Sequence, residues 1–286
     1  MRKIKFLLFV CLAVAGISAS ISGQPAKSHW AKYNGGRVRY YDIGNAKNKK
    51  ALILIHGWSC NADFWKDSYS AFPGYRVIAI DLPGHGQSDK PKTTYSMEYF
   101  AKSIDAVMKT AKVKQGVLVG HSMGTPVIRQ FYRLFPSEVL GLVTVDGPLK
   151  PYGSKAQMEQ FLAPLRTNYA ESGPKMVDGL LGPMKDETLK KSVREAMLAT
   201  PNHVAISAMD GMIDDAIWVN DQIKVPVLAI MNAEGRWPAD TGDVYRAIAP
   251  SLEFQSWTGV SHFLFMEKPK EFNEAILSFV VKNKLL

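Results

Sequence analysis

Short apolar runs recur along the chain: Ala51–Ile55, Arg76–Ile80, Gly116–Val119, Gly141–Val145, Val225–Met231 and Leu252–Trp257. Most lack apolar–polar alternation. Runs of this length bounded by turn formers read as strands, and the missing alternation reads as strands buried on both faces, as in a parallel sheet. Ahead of them, His29–Tyr33 and Arg37–Ile43 flank Asn34-Gly35-Gly36, which predicts an opening hairpin. Helical spacing appears between the strands. Met97–Thr110 repeats Phe100, Ile104, Val107 and Met108. Met123–Leu134 repeats Val127, Ile128, Phe131 and Leu134, and Lys270–Val281 repeats Phe272, Ile276 and Leu277. Strands alternating with helices predict an α/β fold, a mostly parallel sheet with helices on both faces.

Residues 149–222 break this rhythm. They show helical stretches at Lys185–Thr200 and Asn202–Met212, turn formers at Ser172-Gly173-Pro174 and Leu181-Gly182-Pro183, and no strong strand pattern. This block reads as a helical cap inserted into the α/β core. The core then comprises residues 24–148 and 223–286.

The first residues read differently again. Arg2, Lys3 and Lys5 precede an apolar run from Phe6 to Ile17, and small residues follow from Ser18 to Gly23. Basic, apolar, small is the order of a secretory signal peptide, here residues 1–23 with cleavage within Ala19–Gly23. The run is too short for a span of about 20 apolar residues. The reading predicts a periplasmic or secreted protein with no stable membrane insertion after cleavage.

The net charge of +9 arises from 35 basic and 26 acidic residues. The lysines are scattered and form no basic stripe with interleaved aromatics, which argues against nucleic acid as a partner. The two cysteines, Cys11 and Cys60, exclude a disulfide scaffold and a multi-cysteine metal site. There is no P-loop, no G-x-G-x-x-G element and no histidine pair at ligand spacing, so no cofactor is expected.

The sharpest chemical signal is Gly120-His121-Ser122-Met123-Gly124. G-x-S-x-G alone is weak, but here it joins an apolar strand to an amphipathic helix, the setting of a nucleophile elbow. The tight turn leaves room only for small residues two positions either side of Ser122, and Pro126 falls in the first helical turn, where a missing N–H costs little. A serine hydroxyl needs a base. His262, in Gly259-Val260-Ser261-His262, follows the last strand and is the candidate. Backbone amides of Met123 and of Trp58, in His56-Gly57-Trp58, are the candidate oxyanion donors.

His56-Gly57-Trp58, Asp81-Leu82-Pro83-Gly84-His85-Gly86-Gln87-Ser88, the serine elbow and the late histidine together resemble the α/β-hydrolase superfamily, in its serine esterase/lipase and C–C hydrolase group with a helical cap. The resemblance covers roughly residues 30–148 and 223–286. It implies a Ser–His–acid triad, a pocket closed by the cap, and structural rather than catalytic roles for the Asp81–Ser88 loop. Serine at the elbow disfavours the aspartate-based dehalogenase and epoxide hydrolase chemistries. The acid departs from the usual pattern: a glycine, Gly235, stands about where most relatives carry it. Asp146, at the end of the Gly141–Val145 strand, is the first choice, with Glu234 and Asp240 as alternatives.

The implied activity is hydrolysis of an ester or other acyl bond through an acyl-enzyme. The Met- and Leu-rich cap (Met158, Leu162, Met176, Leu180, Leu181, Met184, Met197, Met209, Met212) points to a small-to-medium hydrophobic substrate. Alternatives on the same residues are C–C hydrolysis or cofactor-free perhydrolysis, and, from another class, non-catalytic binding of a small ligand.

Overall fold

All eight apolar runs pair into one sheet. The computed structural model describes residues 27–151, 153–234 and 237–286. The signal-peptide reading of residues 1–23 and the glycine at position 235 lie outside the described residues. The strands are β1 (Ser28–Tyr33), β2 (Gly36–Ile43), β3 (Lys50–Ile55), β4 (Val77–Ile80), β5 (Gln115–His121), β6 (Val139–Val145), β7 (Val227–Asn232) and β8 (Leu252–Trp257). Their order across the sheet is β1-β2-β4-β3-β5-β6-β7-β8. The β1–β2 hairpin and the β2–β4 pair are antiparallel, and every other pairing is parallel. The central strands carry side chains that are wholly buried, as their unbroken apolar runs require.

Helices α1 (Met97–Ala111), α2 (Gly124–Leu134), α3 (Lys155–Thr167), α4 (Tyr169–Leu181), α5 (Glu187–Leu198), α6 (Asn202–Met212), α7 (Thr241–Ile248), α8 (Leu264–Glu267) and α9 (Pro269–Lys282) complete the described elements used below. The inner residues of α1 (Phe100, Ile104, Val107) and α2 (Val127, Ile128, Phe131) are fully buried, so the helical spacing of the sequence is the face each helix turns toward the core.

Four helices, α3 to α6, occupy the stretch between β6 and β7. Ser172-Gly173-Pro174, expected as a turn, instead lies inside α4. The physical reason is local. Ser172 N still donates to Asn168 O (3.0 Å), so the helix has begun before Pro174, which it carries in its interior at the loss of one backbone bond. Gly173 also lies against Tyr169: a Cβ there would stand 2.9 Å from its ring. The second turn signal does end α4, with Gly182 following the last helical residue.

Both arms of the insertion are fastened to α2. Arg129 donates to the carbonyls of Leu149 and Val219 and to Asp221 Oδ1, and Arg133 donates to both Asp221 oxygens and to Ile217 O. Burial would raise the Asp221 pKa, but the Arg133 and Arg129 charges outweigh it and hold the carboxyl at about 2. The helix that begins beside Ser122 therefore also fixes where the cap leaves and rejoins the core. Among the described residues no helix is long and apolar enough to cross a membrane.

Candidate active site

Strands β3 to β8 run in register and end at one edge of the sheet, so residues just beyond them converge. That edge is where parallel sheets place ligands. Ser122 follows β5 with φ 52°, in the left-handed region. Its N–H donates to Val145 O (2.9 Å), which holds a conformation that a serine does not choose alone. The flanking glycines are required sterically. A Cβ on Gly120 would stand 2.4 Å from Gly124 O, and one on Gly124 would stand 2.6 Å from Ile55 O.

Asp146 follows β6 and is also in the left-handed region, at φ 43°. It is completely buried. Its Oδ2 lies 2.6 Å from His262 Nδ1. Its Oδ1 accepts from Asn232 N (2.9 Å) and Trp237 Nε1 (2.6 Å). The buried carboxylate is thus satisfied on both oxygens, as burial of a charge demands. The other two acid candidates are elsewhere. Glu234 is exposed, and its Oε1 accepts from Gly259 N (2.8 Å) in the histidine loop. Asp240 is exposed at the head of α7. The structure brings Asp146 to the imidazole and leaves the other two off it.

His262 sits on a loop held at several points. Besides the Glu234 contact, Ser261 N donates to Glu267 Oε2 (2.6 Å), and the His121 ring Nε2 is 2.9 Å from His262 O. Sequence reading gives His121 only a place in the elbow motif. Its role in fixing the loop depends on β5 and the β8–α8 loop meeting in space, for which sequence carries no signal. The same holds for Trp237, whose place in a polar loop after β7 was the only hint.

Trp58 and Met123 flank Ser122 from two sides. Met123 immediately follows it, at the head of α2. The 57–58 backbone passes against the serine, since a Cβ on Gly57 would stand 3.0 Å from Ser122 Cβ. The remaining residues in this region serve the scaffold. His56 Nε2 accepts from Leu82 N (3.0 Å), and burial pushes its pKa down to about 4. His85 is pushed down to about 3, by burial first and then by His56. Cys60 is buried and its thiol is pushed up by that burial, the opposite of an activated thiolate. Asp81 anchors the loop, with its Oδ2 2.7 Å from Arg39 Nε and its Oδ1 accepting from Ala62 N (2.7 Å).

Ser122 and His262 both line a cavity of about 310 Å³ under the cap. Its walls include Met158, Met176, Leu180, Met197, Met209 and Met212, so six of the nine cap residues singled out in the sequence face it. Leu162 packs instead in a small separate cluster with Leu165 and Ile213, and Leu181 and Met184 join the main core. Phe161 lines the cavity while 58% exposed, which marks its mouth. No lysine or arginine is among the described residues that line it. Among the described residues there is also no group of three or more His, Cys, Asp or Glu side chains placed to hold a metal ion.

A serine elbow, a buried His–Asp pair and a capped cavity at the carboxyl edge of such a sheet are the arrangement of the α/β-hydrolase fold, and the chain has that fold. The family model described as the alpha/beta hydrolase fold matches residues 50–180. The chain is 28% identical to a 2-hydroxy-6-oxononadienedioate/2-hydroxy-6-oxononatrienedioate hydrolase of Paraburkholderia phymatum, covering 85% of this chain and 91% of that one. It is 26% identical to a non-heme chloroperoxidase of Streptomyces lividans, covering 86% and 97%. In structure it is similar to an esterase from Exiguobacterium antarcticum, with a TM-score of 0.77, 20% identity, and coverage of 89% of this chain and 100% of that one. At that identity the last likeness speaks for the fold.

Proposed function

We propose that the protein is an exported serine hydrolase that cleaves an ester or related acyl bond of a small-to-medium hydrophobic substrate through an acyl-enzyme. The observation that carries this reading is that Ser122 and His262 line one apolar cavity while His262 Nδ1 is engaged by Asp146. With its proton on Nδ1 toward the carboxylate, the imidazole has its basic lone pair on Nε2. His262 takes the Ser122 proton as Oγ attacks the acyl carbon. The Trp58 and Met123 amides receive the oxyanion, and the α2 N-terminus adds favourable potential there. His262 then returns the proton to the leaving alcohol, and water, activated by the same imidazole, releases the acid.

C–C bond hydrolysis is the second reading, since the Paraburkholderia relative carries such a substrate in its name. That substrate is a dicarboxylate. The absence of lysine and arginine among the described cavity-lining residues favours an uncharged acyl group instead. Export rests on the basic, apolar, small order of residues 1–23.

The test is a p-nitrophenyl ester chain-length series together with fluorophosphonate labelling. Turnover and labelling at Ser122, both lost in Ser122→Ala, are expected. A protein that binds esters without turning them over and resists the label overturns the reading.

A further inference from the structure

The corner between α5 and α6 reaches down onto the loop that follows β3. Thr200, buried in that corner, donates from Oγ1 to Ser59 O (3.1 Å). Five residues on, Ala205 O accepts from Trp58 Nε1 (2.8 Å). Ser59, whose carbonyl accepts the first of these contacts, is buried and held at φ 57°. L-residues keep that backbone state only where surrounding structure over-determines it. Within the loop, Cys60 N donates to Gly57 O (3.2 Å) and Cys60 Sγ to Trp58 O (3.4 Å). Those local bonds define a turn but do not fix its height above Ser122. The Thr200 and Ala205 anchors reach outside the loop, and both come from the cap.

We propose that Thr200 is a positioning residue for the Trp58 amide, so that the α5–α6 corner sets the geometry of the oxyanion site. The proposal rests on the reading of Trp58 N–H as an oxyanion donor. A donor aimed at a developing charge loses its effect with small displacements, because the interaction depends on alignment fixed before reaction. Thr200 holds the carbonyl one residue beyond that amide. Ala205 holds the ring of the same residue. Met197 and Met209, which face the cavity, stand on the two helices that meet at this corner. An acyl chain packed on them bears on the element that aligns the amide, and the cap thereby contributes to the chemical step as well as to binding.

The test compares Thr200→Val, which keeps the shape and loses the hydroxyl, with Thr200→Ser, which keeps the hydroxyl. For a p-nitrophenyl ester, Thr200→Val is expected to lower kcat about tenfold with KM within about twofold, and Thr200→Ser to restore most of it. The pH profile should not move, since the His262–Asp146 pair is untouched. A rise in KM with kcat unchanged, or an equal loss in Thr200→Ser, overturns the proposal. Amide hydrogen exchange across residues 57–60 supplies a readout that needs no activity: faster exchange in Thr200→Val is expected, and unchanged exchange overturns the proposal. If the wild type neither turns over esters nor labels at Ser122, the functional reading fails, and the exchange measurement still decides the positioning. Trp58→Phe, which keeps an aromatic ring without the N–H, is expected to speed exchange in the same segment should Thr200→Val not fold, and unchanged exchange there overturns the proposal.

Discussion

Trp237 Nε1 donates to Asp146 Oδ1 at 2.6 Å, on the far side of the carboxylate from His262. The carboxylate is gripped by an indole and a backbone amide while its second oxygen faces the imidazole. Such a grip fixes the tautomer and the ring plane at once. Asp146→Asn removes the charge and offers an amide that can force the wrong tautomer. It is expected to lower kcat by a factor of roughly a thousand or more. Glu234→Gln, which changes only an exposed contact to the loop, is expected to stay within about threefold. Steady-state kinetics of the two variants side by side decide between the carboxylates, and equal losses would refute the assignment.

Trp237→Phe removes one donor from a buried carboxylate and leaves the aromatic ring. The carboxylate then keeps one donor, Asn232 N, on that oxygen and is less well held. kcat is expected to fall about tenfold. An unchanged kcat would mean that Asn232 N alone suffices.

The elbow glycines make a steric prediction. A Cβ at Gly120 meets the backbone of Gly124 and Thr125, and one at Gly124 meets the carbonyls of Ile55 and His56. Backbone cannot swing aside as a side-chain tip can. Gly124→Ala is expected to cost at least about 3 kcal/mol, or to prevent folding. Urea denaturation measures it, and a loss below about 1 kcal/mol would show that β3 and α2 can separate at small cost.

The parts of this arrangement that sequence revealed are those written locally. Apolar runs without alternation gave the strands, and glycines two positions either side of Ser122 gave the elbow, because both constraints act within a few residues. Asp146 was readable only as one of three carboxylates. What separates it from Glu234 and Asp240 is that β6 lies beside both β5 and β7, which puts its end beneath the histidine loop. The contacts of His121 with His262 O and of Trp58 with Ala205 O join residues more than a hundred positions apart, and no periodicity encodes them. The Ser172-Gly173-Pro174 segment misled for the opposite reason. Its local turn preference was overridden by packing of Gly173 against Tyr169 in a helix already begun.

Two buried histidines give the protein an acid-side weakness. Burial holds His56 at about 4 and His85 at about 3, whereas both titrate near 6.5 in an unfolded chain. Above pH 6.5 both states are neutral and the full stability is present. As pH falls below 6.5 the unfolded chain binds protons that the fold refuses, so stability declines until the folded values are reached. Tm is therefore expected to fall between pH 6.5 and about 3. His85→Phe should show a shallower fall. Calorimetry across that window tests this, and a Tm independent of pH from 6.5 to 4 would contradict it.

The cavity sets the final expectation. Its volume of about 310 Å³ is bounded on the cap side by flexible thioethers and by Leu180. Methionine adapts to differently shaped apolar ligands, so a gradual rather than sharp dependence on acyl length is expected in the wild type. Leu180→Trp fills part of the space without touching Ser122, His262 or Asp146. Each methylene excluded from an apolar pocket is worth about 1–3 kcal/mol. kcat/KM for an octanoyl ester should therefore fall about a hundredfold, while that for an acetyl ester changes by less than about threefold. A uniform loss across chain lengths would mean that Leu180 supports the catalytic groups instead of the acyl chain. An unaltered octanoyl rate would place the acyl group elsewhere, toward the exposed Phe161 mouth.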